Sequence, residues 1–404
     1  MSTAHSVGRV DRKTGRPGDR REPAYEMVER GGEQRLVVRS FELARAILRR
    51  PTGLAQAGFN AETVSGNPAL RPPMLFVEGE AHHEQRRLAA RYFAPKTVAT
   101  RHRQMIVELA DQLVSELERS GGGRLDVVSF RLALRVVCEV VGLTESDVRA
   151  MERLLDAFFA VPPPATAPRL RRLKYHARQN ARTLRFYLQH VRPAVRARRA
   201  QPRDDVISGL LERGLRDRDL LIECLTYAAA GMVTTRQFIA LAAWQLIEHD
   251  ALLARFRQGS PLERRAILDE LVRLDTVAGN LLRRTVTPLT LDTPHGPLTV
   301  PEGTVIDLEI RAANADESVF GADAMELNPD RCPAGRAPLA GLAFGAGHHS
   351  CPGEHLAMEE SDVFLQRFFR GDWTIEAAPT IDWNDVVLAY DIQGLVVRPA
   401  PQIS

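Results

Sequence analysis

The chain has 404 residues, of which 44% are hydrophobic and 26% are charged. This composition predicts a globular protein with a large buried core and excludes collagen-like, coiled-coil and wholly disordered chains. The 54 Lys and Arg residues nearly balance the 51 Asp and Glu residues, and a formal charge of +3 is too small for a protein that coats nucleic acid.

The four cysteines are too few and too widely spaced for a disulfide-stabilised scaffold, which predicts a reducing, cytoplasmic location. The first 23 residues are charged, contain Gly and include no apolar segment. They predict a disordered tail and exclude a signal peptide or a membrane anchor there. No segment resembles a flexible interdomain linker, so residues 24–404 are predicted to form one domain.

Hydrophobic periodicity predicts that most of the chain is helical. Apolar residues recur at spacings of three and four in 41–50, 82–94, 99–119, 126–141, 145–159, 176–198 and 216–250, and again in the run that follows 353. Short strand patterns bounded by turns occur at 34–38, 289–291, 298–300, 304–308 and 395–397. The predicted fold class is mainly α with small β-sheets, and no internal repeat indicates a solenoid or a propeller.

The helix predicted to begin near residue 79 places two polar side chains on one face. His82 and Arg86 are four residues apart, and two such donors one turn apart suit a pair of carboxylates. A solvated charged helix is the competing interpretation for the neighbouring His83 and Arg87.

A run of basic residues fills the middle of the chain. It could meet an anionic substrate or an acidic carrier protein that presents one, although a solvated helical face gives the same pattern. Its members are Arg169, Arg171, Arg172, Lys174, Arg178, Arg182 and Arg185.

The long helix predicted at 216–250 has an interruption near its middle. Although 220–247 is the most apolar long stretch, its internal Glu223 and Arg236 favour a buried helix over a membrane span. Gly231 and the pair Thr234 and Thr235 lower helix propensity, and a Thr hydroxyl can bond a backbone carbonyl and open the ladder locally. The sequence therefore predicts a groove there, with Ala-rich helix packing as the alternative.

The segment 344–353 places a cysteine at the start of a helix. Gly345 and Gly347 allow the chain to turn tightly, and Pro352 fits the first helical position. The positive end of the helix favours a thiolate at Cys351, with a lowered pKa and stronger metal binding. A single thiolate ligand of this kind indicates haem iron.

Two other interpretations of this segment remain open. A buried structural cysteine in a Gly-rich turn would give the same local pattern. A zinc site would need four convergent ligands, and adjacent histidines rarely turn to one point. The zinc candidates are His348, His349, Cys351 and His355.

The pattern Phe-Gly-x-Gly-x-His-x-Cys-x-Gly at 344–353 resembles the haem-binding signature of the cytochrome P450 superfamily and matches every fixed position. The resemblance implies a cytochrome P450 fold, with haem between a long central helix and the cysteine loop. It implies that Cys351 is the proximal haem ligand, that Phe344 packs near it and that His349 contacts a haem propionate.

Other segments resemble motifs of the same family, in the same order along the chain. The resemblance implies that Glu270 and Arg273 form the ExxR pair and that Arg331 joins them in a structural role. It implies propionate contacts from His82, Arg86 and Arg283, with Arg284 a less favoured substitute, and a distal helix in which Thr234 guides protons to oxygen. The remaining residues assigned in this way are Gly345, Gly353, Ala230 and Gly231 for cofactor binding and Thr235 for catalysis.

Val233 departs from the family pattern, because Asp or Glu usually stands at that position. An apolar side chain cannot relay protons, so delivery must rely on Thr234, ordered water, another acid or the substrate. We therefore expect either a substrate group that takes part in proton delivery or an atypical oxidation, such as oxidative coupling or ring formation.

The resemblance implies that haem b is the cofactor, and that the protein uses dioxygen to oxidise a small organic substrate in secondary metabolism. Because no reductase motif is present, electrons are expected from a ferredoxin and its reductase, which would dock near Arg331 and Arg336. The alternative of another class is a non-catalytic haem-binding protein. Predicted substrate contacts are the segments 60–78 and 157–186, with Met74, Leu75, Phe76 and Val233.

Overall fold

The computed structural model describes residues 23–30, 32–59, 61, 71–158, 163, 167–293, 296–384 and 389–401. The tail predicted to be disordered lies outside the described residues except for Pro23. Parts of the predicted substrate segments, at 60, 62–70, 159–162 and 164–166, also lie outside them.

The described part of the chain is mainly helical, as predicted. Its helices of seven residues or more are α1 (Phe41–Leu48), α2 (Gly79–Phe93), α3 (Arg103–Arg119), α4 (Leu125–Val141), α5 (Val148–Phe158), α6 (Arg169–Phe186), α7 (Arg192–Ala200), α8 (Val206–Glu212), α9 (Asp217–Ala228), α10 (Thr234–Glu248), α11 (Asp250–Gln258), α12 (Pro261–Leu274) and α13 (Glu354–Phe368).

Shorter helical segments connect these elements. Three are π turns, and each prolongs a helix or joins two helices. The π turns are Val98–His102, Tyr187–Val191 and Ala229–Val233; the other short segments are Met74–Phe76, Pro95–Thr97, Ile310–Ala313, Glu317–Phe320, Ala334–Arg336 and Gly347–His349.

The strands form four small sheets in the described residues. The largest has the order β1-β2-β8-β5-β3, in which only the β2–β8 pair is parallel. The others pair β4-β12-β9, β6-β7 and β10-β11. The strands are β1 (Tyr25–Arg30), β2 (Glu33–Val38), β3 (Leu54–Ala57), β4 (Gly123–Arg124), β5 (Asn280–Thr285), β6 (Leu289–Thr293), β7 (Gly296–Val300), β8 (Val305–Glu309), β9 (Trp373–Ala377), β10 (Thr380–Asn384), β11 (Ala389–Gln393) and β12 (Val396–Pro399).

Two hydrophobic clusters organise the molecule. The larger one joins the helices, with α4 and α10 near its centre, and the smaller one packs α1 against the five-stranded sheet. In the described residues, no helix is both long enough and apolar enough to cross a bilayer.

Helix α12 shows how local sequence sets an element boundary. Ser260 accepts a hydrogen bond from the Glu263 N–H, and the Glu263 carboxylate accepts one from the Ser260 N–H. Pro261 follows at the first helical position, where its missing N–H costs nothing. This capping box fixes the start of the helix that carries Glu270 and Arg273.

The predicted helices and strands are found close to their predicted bounds, with two kinds of difference. The helix predicted at 176–198 begins seven residues earlier, at Arg169 of α6, because the polar face there hid the start of the pattern. Strands such as β1, β3 and β5 were not predicted, since four to six residues with mixed polarity give little alternation.

Candidate functional site

The cysteine loop folds as a tight turn ahead of α13. Gly345 and Gly347 have φ of +69° and +73°, in the left-handed region that favours glycine. A Cβ on Gly347 would lie 2.5 Å from the Leu48 carbonyl oxygen, so a larger residue does not fit. The Cys351 N–H donates to the Phe344 carbonyl oxygen at 2.8 Å and closes the loop. The predicted tight turn is confirmed, and it presents Cys351 just before the helix.

The Cys351 side chain faces an interior space. It has accessible surface although protein atoms surround it on all sides. Burial raises the pKa of its thiol, and the N–H groups of Gly353 and Glu354 and the charge of Arg86 lower it by less. The expectation of a lowered pKa was therefore wrong, because it counted the helix start and left out the desolvation.

The start of α2 and the cysteine loop form a histidine cluster, which consists of His82, His348, His349 and Glu78. The rings of His82 and His349 have centroids 4.1 Å apart, and those of His348 and His349 are 4.7 Å apart. The Glu78 Oε2 lies 3.0 Å from the Nε2 of His349 and 3.4 Å from that of His348. Burial raises the pKa of Glu78, but hydrogen bonding and the charge of His349 outweigh it, so the net pKa is lowered.

The register predicted for α2 matches the burial. His82 is 1% exposed, whereas His83 and Arg87 are exposed. The His82 Nδ1 has no hydrogen-bond partner in the described part of the chain, and burial lowers the pKa of its ring to about 4. The half-buried Arg86 donates to the backbone and to the hydroxyl of Ser350 in the cysteine loop. His82 and Arg86 therefore point inward together.

Arg283 on β5 lies near the same cluster. Its NH1 donates to the Leu282 carbonyl oxygen at 2.8 Å, and Glu78 is the carboxylate that acts on its charge. Burial lowers the pKa of Arg283 to about 10. The adjacent Arg284 points the other way and donates to Glu33 Oε1 at 2.9 Å. Arg283, rather than Arg284, belongs to the interior space.

The ExxR residues and Arg331 meet in a second buried cluster. The Arg273 Nε lies 2.6 Å from Glu270 Oε2, and the Arg331 Nε lies 3.3 Å from Glu270 Oε1. Arg273 also donates to the carbonyl oxygens of Asn314 and Ala324, at 2.6 and 2.8 Å. The structure thus joins α12 to the segments at 310–331 through one carboxylate and two guanidinium groups.

The burial of Arg331 corrects the expectation that this residue contributes to a docking face for a redox partner. Arg331 is 8% exposed and donates to Asp323 Oδ1 at 2.6 Å and to the Glu326 carbonyl oxygen at 3.0 Å. It therefore cannot contribute to a docking face, because its charge is used inside the fold. Arg336 is exposed, and its role in docking stays a prediction.

The long central helix opens where the sequence predicted. Helices α9 and α10 are joined by the π turn Ala229–Val233, and the Thr234 hydroxyl donates to the Ala230 carbonyl oxygen at 2.6 Å. A Cβ on Gly231 would lie 2.8 Å from Val137 Cγ2, so glycine allows α4 to approach closely. Ala230 is exposed although this helix lies in the main core, which indicates that the turn borders an interior space.

Two buried acids lie on either side of this turn, and sequence reasoning gave neither of them a role at the site, although it noted Glu223 inside the apolar stretch. Glu360 on α13 is 2% exposed, and its carboxyl group is hydrogen-bonded to Thr235 while its Oε2 has no partner in the described residues. Burial raises the pKa of Glu360 well above its usual value. Glu223 on α9 is 6% exposed, and burial raises its pKa to about 7. Periodicity could not find their role, because it reports which helix face is buried and not what a buried acid contacts.

Glu223 lines a small pocket between α2, α8 and α9. Met74 lines the same pocket, and its N–H donates to the Glu223 carboxylate. Leu75 and Phe76 lie in the same short turn and are half-buried. Of the predicted substrate residues, the structure therefore brings Met74 close to the central helix, and the substrate role of all of them stays a prediction.

Comparison with known proteins identifies this arrangement. A family model described as cytochrome P450 matches residues 264–371, which include the ExxR pair and the cysteine loop. The chain is 27% identical over 301 residues to the biotin biosynthesis cytochrome P450 of Bacillus subtilis, covering 72% of this chain and 71% of that protein. It is 28% identical over 363 residues to cytochrome P450-SU2 of Streptomyces griseolus, covering 87% and 83%.

Comparison of the fold with solved structures also finds cytochrome P450s. The crystal structure of P450BioI in complex with hexadec-9Z-enoic acid ligated acyl carrier protein matches with a TM-score of 0.75 at 21% identity, covering 93% of this chain and 95% of that one. The chain is thus similar in sequence to cytochrome P450s and has the cytochrome P450 fold, which supports a haem-iron oxidoreductase.

The buried polar groups of the chain fit a haem. The accessible surface of Cys351 inside the protein suits an axial ligand. The His82 Nδ1 has no partner in the described residues, and the buried Arg283 has the charge of Glu78 nearby but the Leu282 carbonyl oxygen as its described hydrogen-bond acceptor, so a propionate carboxylate would suit both. Burying polar groups with incomplete pairing is unfavourable, and a haem held here would complete the site.

The zinc interpretation finds little support in the same geometry. Within the described residues, one group of three ligating side chains has its ligand atoms within 4.8 Å of one another, and it consists of Glu78, His348 and His349. Cys351 and His355, which the zinc hypothesis required, are not part of that group. The adjacent histidines do converge, contrary to the expectation, because Glu78 lies between their Nε2 atoms.

Proposed function

We propose that residues 24–404 form a single-domain haem b monooxygenase or oxidase that uses dioxygen and two electrons to oxidise a small organic substrate in secondary metabolism. The observation that carries this proposal is the Cys351 thiol, which lies at a helix start and faces an interior space. When bound there, haem supplies the activation of dioxygen. The chain supplies the axial thiolate, the propionate contacts and the route for protons.

Each predicted residue has a place in this proposal. Cys351 would hold the haem iron through its thiolate, and the tight turn made by its neighbours would fix the position of that sulfur. Thr234 stands at the opened turn of the central helix, where its hydroxyl can pass a proton toward the reacting oxygen. The propionate contacts are His82, Arg86, Arg283 and His349; the loop is held by Phe344, Gly345 and Gly353; the distal face is bordered by Ala230 and Gly231; and the structural cluster is Glu270, Arg273 and Arg331.

The axial ligand is tested by a matched pair of cysteine variants. Cys351→Ala removes the thiolate, so we expect loss of the Soret shift that thiolate-ligated haem gives on reduction under carbon monoxide, and loss of turnover. Cys332→Ala changes a cysteine that is exposed in a loop and should leave both unaltered. An unaltered spectrum and product yield in Cys351→Ala would refute the proposal. A normal spectrum without oxygen consumption in the unmodified chain would instead favour a non-catalytic haem-binding protein.

We also propose that the protein delivers protons without an acid at position 233. Glu360 is the buried acid that supports this, because burial raises the pKa of its carboxyl group, which is hydrogen-bonded to Thr235 on the helix that carries Thr234. The alternatives are a hydroxyl or amine of the substrate and an oxidation such as coupling or ring formation, which places different demands on proton supply.

Product formed per electron consumed separates these possibilities. If Glu360 is the acid, Glu360→Gln should lower this ratio about tenfold and increase the solvent isotope effect, because the amide hydrogen-bonds but cannot give up a proton. Val233→Asp should then restore part of the ratio. No change in either variant would contradict a protein-derived acid and favour the substrate as the proton source.

Separate redox proteins, a ferredoxin with its reductase, are proposed as the electron donors. The exposed Arg336 beside the cysteine-loop segment supports a basic docking face. Arg336→Glu should slow reduction and weaken its dependence on salt. A reducing, cytoplasmic location is proposed with the same donors, and the four unpaired cysteines support it.

A further inference from the structure

Helix α6 carries an unusual share of the exposed apolar surface. Eight large hydrophobic side chains of the described residues are exposed, and four of them lie on α6 or in the π turn that follows it. They are Leu170, Leu173, Leu184 and Leu188, with 62%, 64%, 57% and 45% of their surface exposed. The other four are scattered singly over the molecule, which is ordinary for a protein surface.

The leucines form one narrow stripe. At 3.6 residues per turn, Leu170, Leu173 and Leu184 fall within an arc of about 80°, together with the exposed Ala177 and Ala181. Leu188 continues the line into the π turn. We call this set, with the two alanines, the leucine stripe. Spacings of three and four over five turns are typical of a seam that receives another helix.

A row of cations lies along one side of the stripe. Arg171, Lys174, Arg178 and Arg185 occupy the adjoining arc of the same helix, and all are exposed. None of the four lies within 4.0 Å of a carboxylate in the part of the chain that the structure describes. We call these residues the cation row.

The surrounding sequence explains why the row has no internal counter-charge. Between Asp156 and Asp204 the chain has twelve Arg and Lys residues and no acid. Further along, the fold neutralises the same excess, since Arg198 pairs with Glu145 and Asp205, and Arg199 pairs with Asp217. On α6 the positive charge is left at the surface.

These features favour one occupant. A second copy of this chain would bring two cation rows toward each other, which costs free energy. A lipid surface suits a wide apolar face with aromatic side chains, whereas this stripe is narrow, has alanines at its middle and has cations along one edge. An amphipathic helix with an apolar edge and an acidic edge could pack its apolar side chains on the leucine stripe and pair its carboxylates with the cation row.

We propose that the leucine stripe and the cation row of α6 dock an acidic amphipathic helix of a separate protein that brings the substrate. Helix α6 runs through the π turn Tyr187–Val191, which packs on α9, so the docked protein would sit beside the start of the central helix. The delivery role rests on the proposed oxidation, but the docking itself does not. The sequence indicated the charge of this helix, and the structure adds the apolar stripe that a solvated helical face would lack.

The test uses the full, haem-loaded chain and a labelled peptide. The peptide is a short helix with Leu at the a and d positions and Glu elsewhere, stapled so that it stays helical, and binding is followed by fluorescence anisotropy. Leu173→Gln with Leu184→Gln, and separately Lys174→Glu with Arg178→Glu, should each weaken binding about tenfold or more. Only the charge variant should also reduce the dependence of affinity on salt.

Matched controls change the same residue types elsewhere. Leu262→Gln alters a leucine that is 83% exposed on α12, and Arg119→Glu alters an exposed cation at the end of α3. Both should bind the peptide as the unmodified chain does. Peptides with Gln or Lys in place of Glu should bind weakly, since the cation row then has no partner.

Three results would overturn the proposal. The first is equal peptide binding by the stripe variants and the controls. The second is stronger binding to vesicles containing phosphatidylglycerol than to the acidic peptide, lost in the stripe variants, which would assign the surface to lipid. The third is self-association in sedimentation experiments that the leucine variants abolish. The carbon monoxide spectrum, read in every variant, reports separately whether the haem chemistry survives.

Discussion

Two clusters of charged and polar groups inside the fold differ in how their donors are satisfied. In the ExxR cluster, Arg273 donates to Glu270 and to two carbonyl oxygens, and Arg331 donates to the same carboxylate. In the histidine cluster, His82 leaves its Nδ1 without a partner in the described residues, and the nearby Arg283 has its pKa lowered by burial.

The difference separates a structural role from a binding role. A buried guanidinium group that is fully hydrogen-bonded holds segments of the fold together. Buried donors without a counterpart raise the free energy of the protein alone, and a ligand that supplies carboxylates recovers this cost. Both clusters combine basic side chains with one carboxylate inside the fold, so residue composition alone would not distinguish them.

The largest effect is expected when the satisfied cluster is broken. Arg273→Ala should lower the free energy of unfolding by about 3–5 kcal/mol, because it leaves the Glu270 carboxylate buried without its main partner. Urea unfolding monitored by circular dichroism measures the loss. Arg273→Lys, which keeps the charge but not the planar fork, provides a measurement if the alanine variant does not fold.

The matched control is an arginine on the same helix at the surface. Arg265 is bonded to Asp269 and Glu354 at 2.8 and 2.9 Å and is about one-third exposed. Arg265→Ala should cost about 0–1 kcal/mol. Similar losses in Arg265→Ala and Arg273→Ala would contradict the structural role of the ExxR cluster.

The second prediction concerns an acid that is buried with incomplete pairing. Because burial raises the pKa of Glu223 from 4.5 to about 7, the native state binds more protons than the unfolded chain between these values. The free energy of unfolding should therefore fall as pH rises through this window. Glu223→Gln should remove that dependence and be more stable than the unmodified chain above pH 7, by up to about 3 kcal/mol.

Urea unfolding of the unmodified chain and of Glu223→Gln at a series of pH values tests this pH dependence. The variant keeps an acceptor for the Met74 N–H, so hydrogen bonding is largely preserved. Glu212→Gln, on the neighbouring α8, changes an exposed carboxylate and serves as the control. Parallel pH profiles for the unmodified chain and Glu223→Gln would show that Glu223 is ionised in both states.

The sequence predicted the parts of both clusters that depend on local spacing. The i, i+3 pair of Glu270 and Arg273 and the i, i+4 pair of His82 and Arg86 lie on the predicted helix faces. The glycine pattern predicted the tight turn, and the Thr pair predicted the opening of the central helix. Each of these follows from steric and hydrogen-bonding rules that act over a few residues.

The features of the two clusters that the sequence could not predict depend on packing between distant segments. Glu78 meets His349 across most of the chain, and no spacing rule joins them. Glu360 differs from solvated acids of α13 only in what packs against it. The direction of the Cys351 pKa was missed for the same reason, since desolvation is set by the whole fold.

The third prediction tests whether the backbone holds the loop beside the histidine cluster. Gly345→Ala should cost about 1–2 kcal/mol, because its φ of +69° is strained for alanine but its Cβ meets no atom closer than 3.8 Å. Gly347→Ala should cost at least about 1 kcal/mol more, because its Cβ would also meet the Leu48 carbonyl oxygen at 2.5 Å. Thermal unfolding of the two variants measures the difference. Equal costs would show that the loop can move away from α1.

The smallest effect on stability, and the sharpest test of the comparison, is expected for Arg283→Met. Since this guanidinium group has a single backbone acceptor among the described contacts, its loss should change the free energy of unfolding of the haem-free protein by less than about 1 kcal/mol. Haem should nevertheless leave the variant about tenfold faster, because a charge-assisted contact to a propionate is lost.

The rate of haem transfer to an excess of apomyoglobin measures this loss. Arg284→Met removes the next arginine of β5, which bonds Glu33 at 2.9 Å and should not affect haem release. If Arg283→Met destabilised the haem-free protein as strongly as Arg273→Ala, the two clusters would both be structural. If Arg284→Met released haem faster instead, the propionate contact would belong to Arg284. Only a stable Arg283→Met protein that loses haem quickly agrees with a binding role for buried donors without partners.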